Sequence, residues 1–352
     1  MTPGKADGGC AFDQSALRAA AMRRLRRRES GSGVFVIPAV PSLRAHYQEK
    51  VLALFALLGR PFAADDIATL QEIMQRLMNA AWQHSPYASL VLTYECQPEA
   101  GGGITYDFKT VTTTVAAEYD GWVGARPQPF FGAHPNPKVM NVARSLGAPG
   151  EVAILDVGAA EGRNTLPLAR AGFAVDAVEI SPRFAALLRD LLAAEKLGTY
   201  VFQGDFVDPG LEIPRARYRL VVFAGVLVAH VRDVAHLRAM LARASEALTE
   251  GGLLLLNLFV TKNGYVPDDV LRELGELFWT VAFTPGELAE ATKGLSLRLV
   301  EDIPFVEYES TQGSEAWPPT DYFAAYCDGQ DLFDLPPGEA PLSLRWLVYK
   351  KE

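Results

Sequence analysis

Ile154-Leu-Asp-Val-Gly-Ala-Ala-Glu-Gly-Arg-Asn-Thr165 is the stretch that decides the fold. The apolar run 152–157 reads as a buried strand. Gly158 permits the sharp turn off it, and Gly162 lets the loop pass close to a ligand before a helix at 164–171. Twenty-three residues past Asp156, a second strand at 174–180 brings up Glu179, placed to accept the hydroxyls of a ribose. A third strand at 200–203 leads into Gly204, Asp205 and Phe206, where an acid beside an apolar ring can hold an adenine edge.

Working outward, the segment 183–195 carries Phe184, Leu187, Leu188, Leu191 and Leu192 on one helical face. A strand at 220–223, a helix at 233–248, a Glu250-Gly-Gly252 turn and a strand at 253–259 follow. Short apolar runs alternating with amphipathic helices specify a parallel sheet covered on both faces. Two more strands are expected at 296–306 and 342–349. The Pro- and aromatic-rich connection 307–341 between them is long enough to be a lid.

The glycines are spaced Gly-x-x-x-Gly with an acid two residues before the first, unlike a dinucleotide fingerprint. A diphosphate is repelled by Asp156 and Glu161. A ligand bearing a sulfonium and an ammonium, such as S-adenosylmethionine, suits an acidic loop.

Val178-Glu-Ile-Ser-Pro182, Gln203-Gly-Asp205, Gly225-Val-Leu-Val-Ala-His-Val-Arg-Asp233 and Leu248-Thr-Glu-Gly-Gly-Leu253 continue the pattern. In this order the chain resembles class I S-adenosylmethionine-dependent methyltransferases, nearest to the small-molecule group that includes tellurite-resistance-type enzymes. The resemblance covers about residues 150–305. It implies an α/β, Rossmann-like, doubly wound, mostly parallel seven-stranded sheet with S-adenosyl-L-methionine as cofactor. It also implies Asp156, Gly158, Ala159, Ala160, Gly162 and Asn164 around the methionine part and Glu179 on the ribose. Ile180 is then expected against the adenine, with Gly204, Asp205 and Phe206 at its amino edge and Ala224 and Gly225 beneath the sulfonium. Ala160 departs from the family, which has glycine there; its methyl group is expected to crowd the methionine or shift the loop and weaken affinity.

Methyl transfer asks chiefly for a nucleophile held in line with an already activated methyl group. A hydroxyl acceptor also needs a base. His230, seven residues past Phe223, is the foremost candidate, with packing at the start of the next helix as the competing role. Upstream, Tyr119 is a second catalytic candidate and Trp122 a candidate pocket wall, where related enzymes fold a helix over the cofactor. In the late connection, Trp317 and Tyr322 are candidates for contact with a flat substrate. Phe130 and Phe131 read as core.

The chain has 352 residues, about two domains' worth, with 49% hydrophobic and 21% charged residues and a net charge of -9. That balance disfavours a nucleic-acid partner, as does the lack of a nucleobase-methylating Asn/Asp-Pro-Pro-aromatic signature. The charge is uneven: residues 1–28 hold seven Lys and Arg against two Asp. We read 1–33 as a basic flexible tail, 34–125 as an N-terminal α+β accessory domain of two helices and a hairpin, and 126–352 as the catalytic domain with its insertion at 307–341. Helical spacing marks 43–59 and 64–83, and extended segments at 89–97 and 104–114 flank the turn-rich 98–103. Cys10, Cys96 and Cys327 are odd in number and lack any CxxC spacing, and the five histidines form no metal motif, so no metal is expected. The absence of a signal or membrane-spanning run points to a cytoplasmic protein without a membrane partner. The expected partner is a small-molecule acceptor methylated on O, N or S, in secondary metabolism, with a homodimer through the N-terminal domain as an option. Aminopropyl transfer, cyclisation, and a non-catalytic cofactor-binding module stay open beside methyl transfer.

Overall fold

A computed structural model describes residues 13–26, 28–97, 104–312, 317–319 and 322–352. The chain divides into two compact units, 1–112 and 113–352.

In the first unit, helix α1 (Gln14–Arg26) is exposed along its length, as its Ala- and Arg-rich sequence without an apolar face dictates. Strand β1 (Gly31–Pro38), helices α2 (Arg44–Leu57) and α3 (Ala64–His84), and strands β2 (Ser89–Cys96) and β3 (Ile104–Val111) follow. The strands form an antiparallel sheet in the order β1-β2-β3. Helix α3 buries Leu70, Met74, Met78 and Ala81, spaced three or four apart, and joins Ile37, Val51, Phe55, Leu90 and Leu92 in one core. Phe55 stacks on Phe62 with centroids 4.8 Å apart.

One feature of this unit differs from the sequence reading. The basic stretch, whose sequence permits a helix, is helical over 14–26, but β1 begins at Gly31, inside the segment read as a tail, and pairs with β2 along its whole length. Its apolar run is only Val34 to Ile37, held between Gly33 and Pro38, so β1 is legible only beside its partner. The hairpin strands lie where expected, whereas the 98–103 turn and Cys10 fall outside the described residues.

The second unit opens with α4 (Val115–Trp122), which the sequence reading had assigned to the accessory domain, and α5 (Pro137–Ser145). The alternating part runs β4 (Ala153–Val157), α6 (Thr165–Arg170), β5 (Ala174–Glu179), α7 (Pro182–Ala194), β6 (Tyr200–Gln203) and β7 (Tyr218–Phe223). It continues through α8 (Leu227–His230), α9 (Val234–Ala247), β8 (Leu248–Thr261), α10 (Asp269–Leu277), β9 (Ala282–Phe283) and α11 (Pro285–Thr292). The chain ends with β10 (Leu297–Pro304), α12 (Phe305–Gln312), α13 (Phe323–Cys327) and β11 (Leu342–Lys351).

The sheet order is β10-β11-β8-β7-β4-β5-β6, with the two-residue β9 added alongside β8. Strands β6, β5, β4, β7 and β8 are parallel, and β11 runs antiparallel to both its neighbours. Ile154, Leu155, Leu220, Val221, Val222 and Phe223 are fully buried, as strands covered on both faces must be. The chain leaves β4 for β5 on one side and later returns to β7 on the other. This switch opens a crevice at the carboxyl ends of β4 and β7.

The expected seven strands are thus present with one short addition. The turn expected at 250–252 lies instead inside the bulged β8, with Gly251 at φ +73°. The expected lid at 307–341 begins as core. Glu309 on α12 is 3% exposed; it accepts from Asn136 Nδ2 at 2.8 Å, Lys138 N at 3.2 Å and Trp346 Nε1 at 3.0 Å. A carboxylate so tied to α5 and β11 fixes α12 in place.

Candidate active site

The crevice holds a cavity of about 170 Å³ built entirely from the second unit. Its floor is the loop after β4. Gly158 sits at φ +74°, and a Cβ there would meet Val226 Cγ2 at 2.2 Å, so only glycine lets the β4 and β7 loops come this close. Gly162, at φ +89°, does the same against Leu188 and Leu166. Ala160 adopts φ +48° despite its side chain, and its N–H donates to Glu179 Oε2 at 2.8 Å.

Glu179 closes β5 and is 5% exposed; its other oxygen accepts from Ser181 N at 2.8 Å. Burial pushes its carboxyl upward from the ordinary range, against the backbone donors that favour the ionised form. Asp156 is 2% exposed and accepts from the Thr165 hydroxyl at 2.6 Å. Burial raises its carboxyl to about 6. Two buried carboxylates short of a full set of donors thus flank one cavity. On the β7 side, Gly225 N donates to Asn257 Oδ1 at 2.7 Å, and the space where its Cβ would stand is open.

The opposite side is aromatic. Thr114 caps α4 by accepting from Ala117 N at 3.1 Å. Asp120 pins this helix to the start of α7, accepting from Ser181 Oγ and from Arg183 N. That anchorage turns Tyr119 toward α8, where its hydroxyl lies 2.7 Å from His230 Nε2. His230 Nδ1 is buried with no hydrogen-bond partner. Burial, with His236 nearby, pushes the imidazole down to about 4, so it is neutral near pH 7. Trp122 and Trp279 extend the wall with centroids 4.7 Å apart. Phe323 and Tyr326 of α13 line the cavity too.

Of the residues singled out by sequence, Tyr119, Trp122, Asp156, Gly158, Ala159, Ala160, Asn164, Glu179, Ala224, Gly225, His230 and Tyr322 line this cavity together. Asn164 does so with its side chain already committed to Asn136: Oδ1 accepts from Asn136 N at 2.9 Å, and Nδ2 donates to Asn136 Oδ1 at 3.3 Å. Gly162, Ile180, Gly204, Asp205, Phe206 and Trp317 do not line it. Phe206 is core, edge-on to Phe223 at 5.4 Å, and Asp205 caps Val207 N at 3.0 Å. Trp317 packs on Phe305 and Phe323. Glu161 turns away from the cavity and accepts from Phe130 N and Phe131 N at 2.7 and 3.2 Å.

Sequence reasoning missed Arg163, Asn257, Trp279 and Asp331. Arg163 follows the second loop glycine and lines the cavity; burial lowers its guanidinium from the usual range, while Glu309, Asp156 and Glu161 favour its charge. Its place inside the quoted loop was the signal available. Trp279 and Asp331 stand in segments whose pattern announces nothing. Among the described residues, no group of three His, Cys, Asp or Glu is placed to hold a metal ion. No helix among them is long and apolar enough to cross a membrane.

Residues 154–252 match the family model described as a methyltransferase domain. No curated protein matches the chain in sequence. Among solved structures, the [4+2]-cyclase SpnF shares 13% identity over 68% of this chain and 97% of its own, with a TM-score of 0.47. Geranyl diphosphate C-methyltransferase from Streptomyces coelicolor A3(2), in complex with Mg2+, geranyl diphosphate and S-adenosyl-L-homocysteine, shares 10% over 61% and 78%, with a TM-score of 0.48. The matched residues 154–252 hold the loop after β4, the parallel strands β4 to β7 and much of the cavity lining, so the site lies on the part of the chain that is similar to a methyltransferase domain.

Proposed function

We propose that the protein methylates a hydroxyl group of a small-molecule acceptor. The observation that carries this reading is the 2.7 Å contact between the Tyr119 hydroxyl and His230 Nε2 on a cavity that also holds Glu179 and Asp156.

The residues present fit the cofactor. Glu179 keeps a free lone pair on each oxygen for ribose hydroxyls, and the open side of Gly225 is a cradle that a Cβ would fill. Asp156 and Glu179 supply negative charge to a ligand that carries two positive centres. When bound, the cofactor supplies an electrophilic methyl group.

The chain's own part is orientation and proton handling. In the tautomer that carries its proton on Nδ1, the neutral imidazole offers Nε2 as the acceptor that faces the Tyr119 hydroxyl. Tyr119 takes the proton of the acceptor hydroxyl as its own passes to His230. The aromatic wall excludes water and holds the acceptor oxygen near Tyr119. The aromatic-walled cavity and the chain's negative balance favour a small molecule over nucleic acid. Cys96 and Cys327, free and buried, support a reducing cytoplasm.

The test is formation of S-adenosylhomocysteine from S-adenosylmethionine across a panel of phenols and alcohols. Turnover of at least one acceptor is expected. His230→Ala and Tyr119→Phe should each lower kcat by roughly 100-fold with cofactor affinity nearly unchanged. Equal kcat in parent and both variants removes the pair from catalysis. Cofactor binding without S-adenosylhomocysteine from any acceptor overturns methyl transfer.

A further inference from the structure

Helix α10 ends in a tight reversal. Thr280 N donates to Gly275 O at 2.7 Å, and Trp279 N reaches Glu276 O at 3.4 Å. This pairing is the helix-ending motif whose penultimate position takes a left-handed residue, normally glycine. Gly275 is already shaped for it, since a Cβ there would lie 2.9 Å from Thr280 O. The left-handed position itself is Trp279, at φ +56°. A bulky side chain in that region is strained, and such strain persists only where the surroundings hold it.

Those surroundings are specific. The Tyr326 hydroxyl donates to Trp279 O at 2.7 Å, and Val281 N, two residues on, donates to Val228 O at 2.8 Å. The indole lies 4.7 Å from the Trp122 ring at 44° and 6.1 Å from the Tyr119 ring at 25°. Tyr119 in turn meets His230 edge-on at 5.3 Å. Here the backbone is bent to a glycine conformation and the indole is placed beside the proton-handling pair.

We infer that Trp279 is an acceptor-positioning and specificity-determining residue, and that the face it completes takes a planar aromatic ring. This rests on the methyltransferase reading above and names its acceptor class. On this side the Tyr119 hydroxyl and His230 Nε2 face each other, and the Tyr119, Trp122 and Trp279 rings form the surface beside them. Such a wall distinguishes an aromatic guest from a saturated ring of equal size, because ring–ring contact adds to burial only when both partners carry π-systems.

The experiment is calorimetric titration of 2-naphthol and decahydro-2-naphthol into the full chain preloaded with S-adenosylhomocysteine, with thermal unfolding alongside. The parent should prefer 2-naphthol by roughly fivefold or more. Trp279→Ala should weaken 2-naphthol by roughly tenfold, equivalent to about 1.4 kcal/mol, whereas Trp279→Phe should stay within about threefold. Trp279→Gly should bind 2-naphthol as weakly as Trp279→Ala, yet unfold at a higher temperature, because glycine accepts the left-handed conformation. Equal affinity for the two naphthols, no binding of 2-naphthol to the loaded parent, or parent-like binding by Trp279→Ala overturns the assignment. So does a Trp279→Gly variant that unfolds no later than Trp279→Ala. Failure of the parent to load S-adenosylhomocysteine removes the underlying methyltransferase reading instead, and the loading step shows this separately.

Discussion

The two sides of the cavity are built on different principles. The carboxylate side hangs from strand ends: Asp156 on β4 and Glu179 on β5, each held by local hydrogen bonds within a short stretch of chain. The aromatic side is gathered from α4, the exit of α10 and α13, whose residues 119, 279 and 326 meet only in three dimensions. A side built on the sheet tolerates little change, because its donors and acceptors are fixed by strand register. A side built from loops can vary its rings without disturbing the sheet, which is where a change of acceptor is easiest to accommodate.

The largest test of this contrast is Glu179→Ala. It removes the carboxylate that accepts from the Ala160 and Ser181 N–H groups and deletes the expected ribose contact. Calorimetry should show cofactor affinity down by roughly 100-fold or more, and unfolding should show a loss of about 1–3 kcal/mol for each buried donor left without an acceptor. Glu179→Gln, which keeps an oxygen for one donor, should fold better and still bind poorly. Cofactor binding unchanged in the glutamine variant would show that the carboxylate side is scaffold only.

The same contrast explains what the sequence made legible. Asp156, Gly158, Glu179 and Gly225 stand at fixed offsets from short apolar strands, so local pattern and family resemblance both reach them. Tyr119 and His230 were found as separate candidates, 111 residues apart, but their contact is a product of Asp120 anchoring α4 to α7. Trp279 carries no signal at all: in a sequence it is one tryptophan after an ordinary amphipathic helix. Its meaning lies in a backbone angle. Strand β1 and the buried start of the 307–341 connection were hidden for a related reason. Each depends on a distant partner, β2 for the first and Asn136, Lys138 and Trp346 for the second.

Gly158→Ala is the next test by size. Its Cβ would enter Val226 Cγ2 at 2.2 Å from a left-handed backbone. A loss of about 2 kcal/mol in stability is expected, with roughly tenfold weaker cofactor binding. A variant with parent stability would mean that the loops after β4 and β7 separate easily.

A pH series probes the buried carboxylates. Asp156 is raised to about 6 in the folded chain from 3.8, so its contribution to stability is fully present below about pH 4 and is lost as pH rises through about 6. A cationic cofactor prefers the ionised carboxylate, so its affinity should move the other way. Binding should weaken as pH falls below about 6, by up to about tenfold per unit, and Asp156→Asn should flatten the profile. An unchanged slope in the asparagine variant would transfer the effect to Glu179, whose carboxyl is raised by burial in the same direction.

The smallest effect belongs to Ala160→Gly, and it sharpens the comparison most. Ala160 and Trp279 are the two left-handed, non-glycine residues that line the cavity, one on each side, at φ +48° and +56°. If strain serves placement on the aromatic side, removing it there must also remove the indole. On the carboxylate side the side chain is a single methyl group, so glycine can relieve the strain while leaving the Glu179 contact to the backbone N–H intact. Relief of about 1 kcal/mol is nearly offset by the greater freedom of glycine in the unfolded chain, so stability should stay within about 0.5 kcal/mol. Cofactor affinity should rise by roughly threefold to fivefold as the methyl group leaves the cavity wall. A fall in affinity would instead make the Ala160 methyl group a packing contact for the cofactor, and strain would then serve placement on both sides.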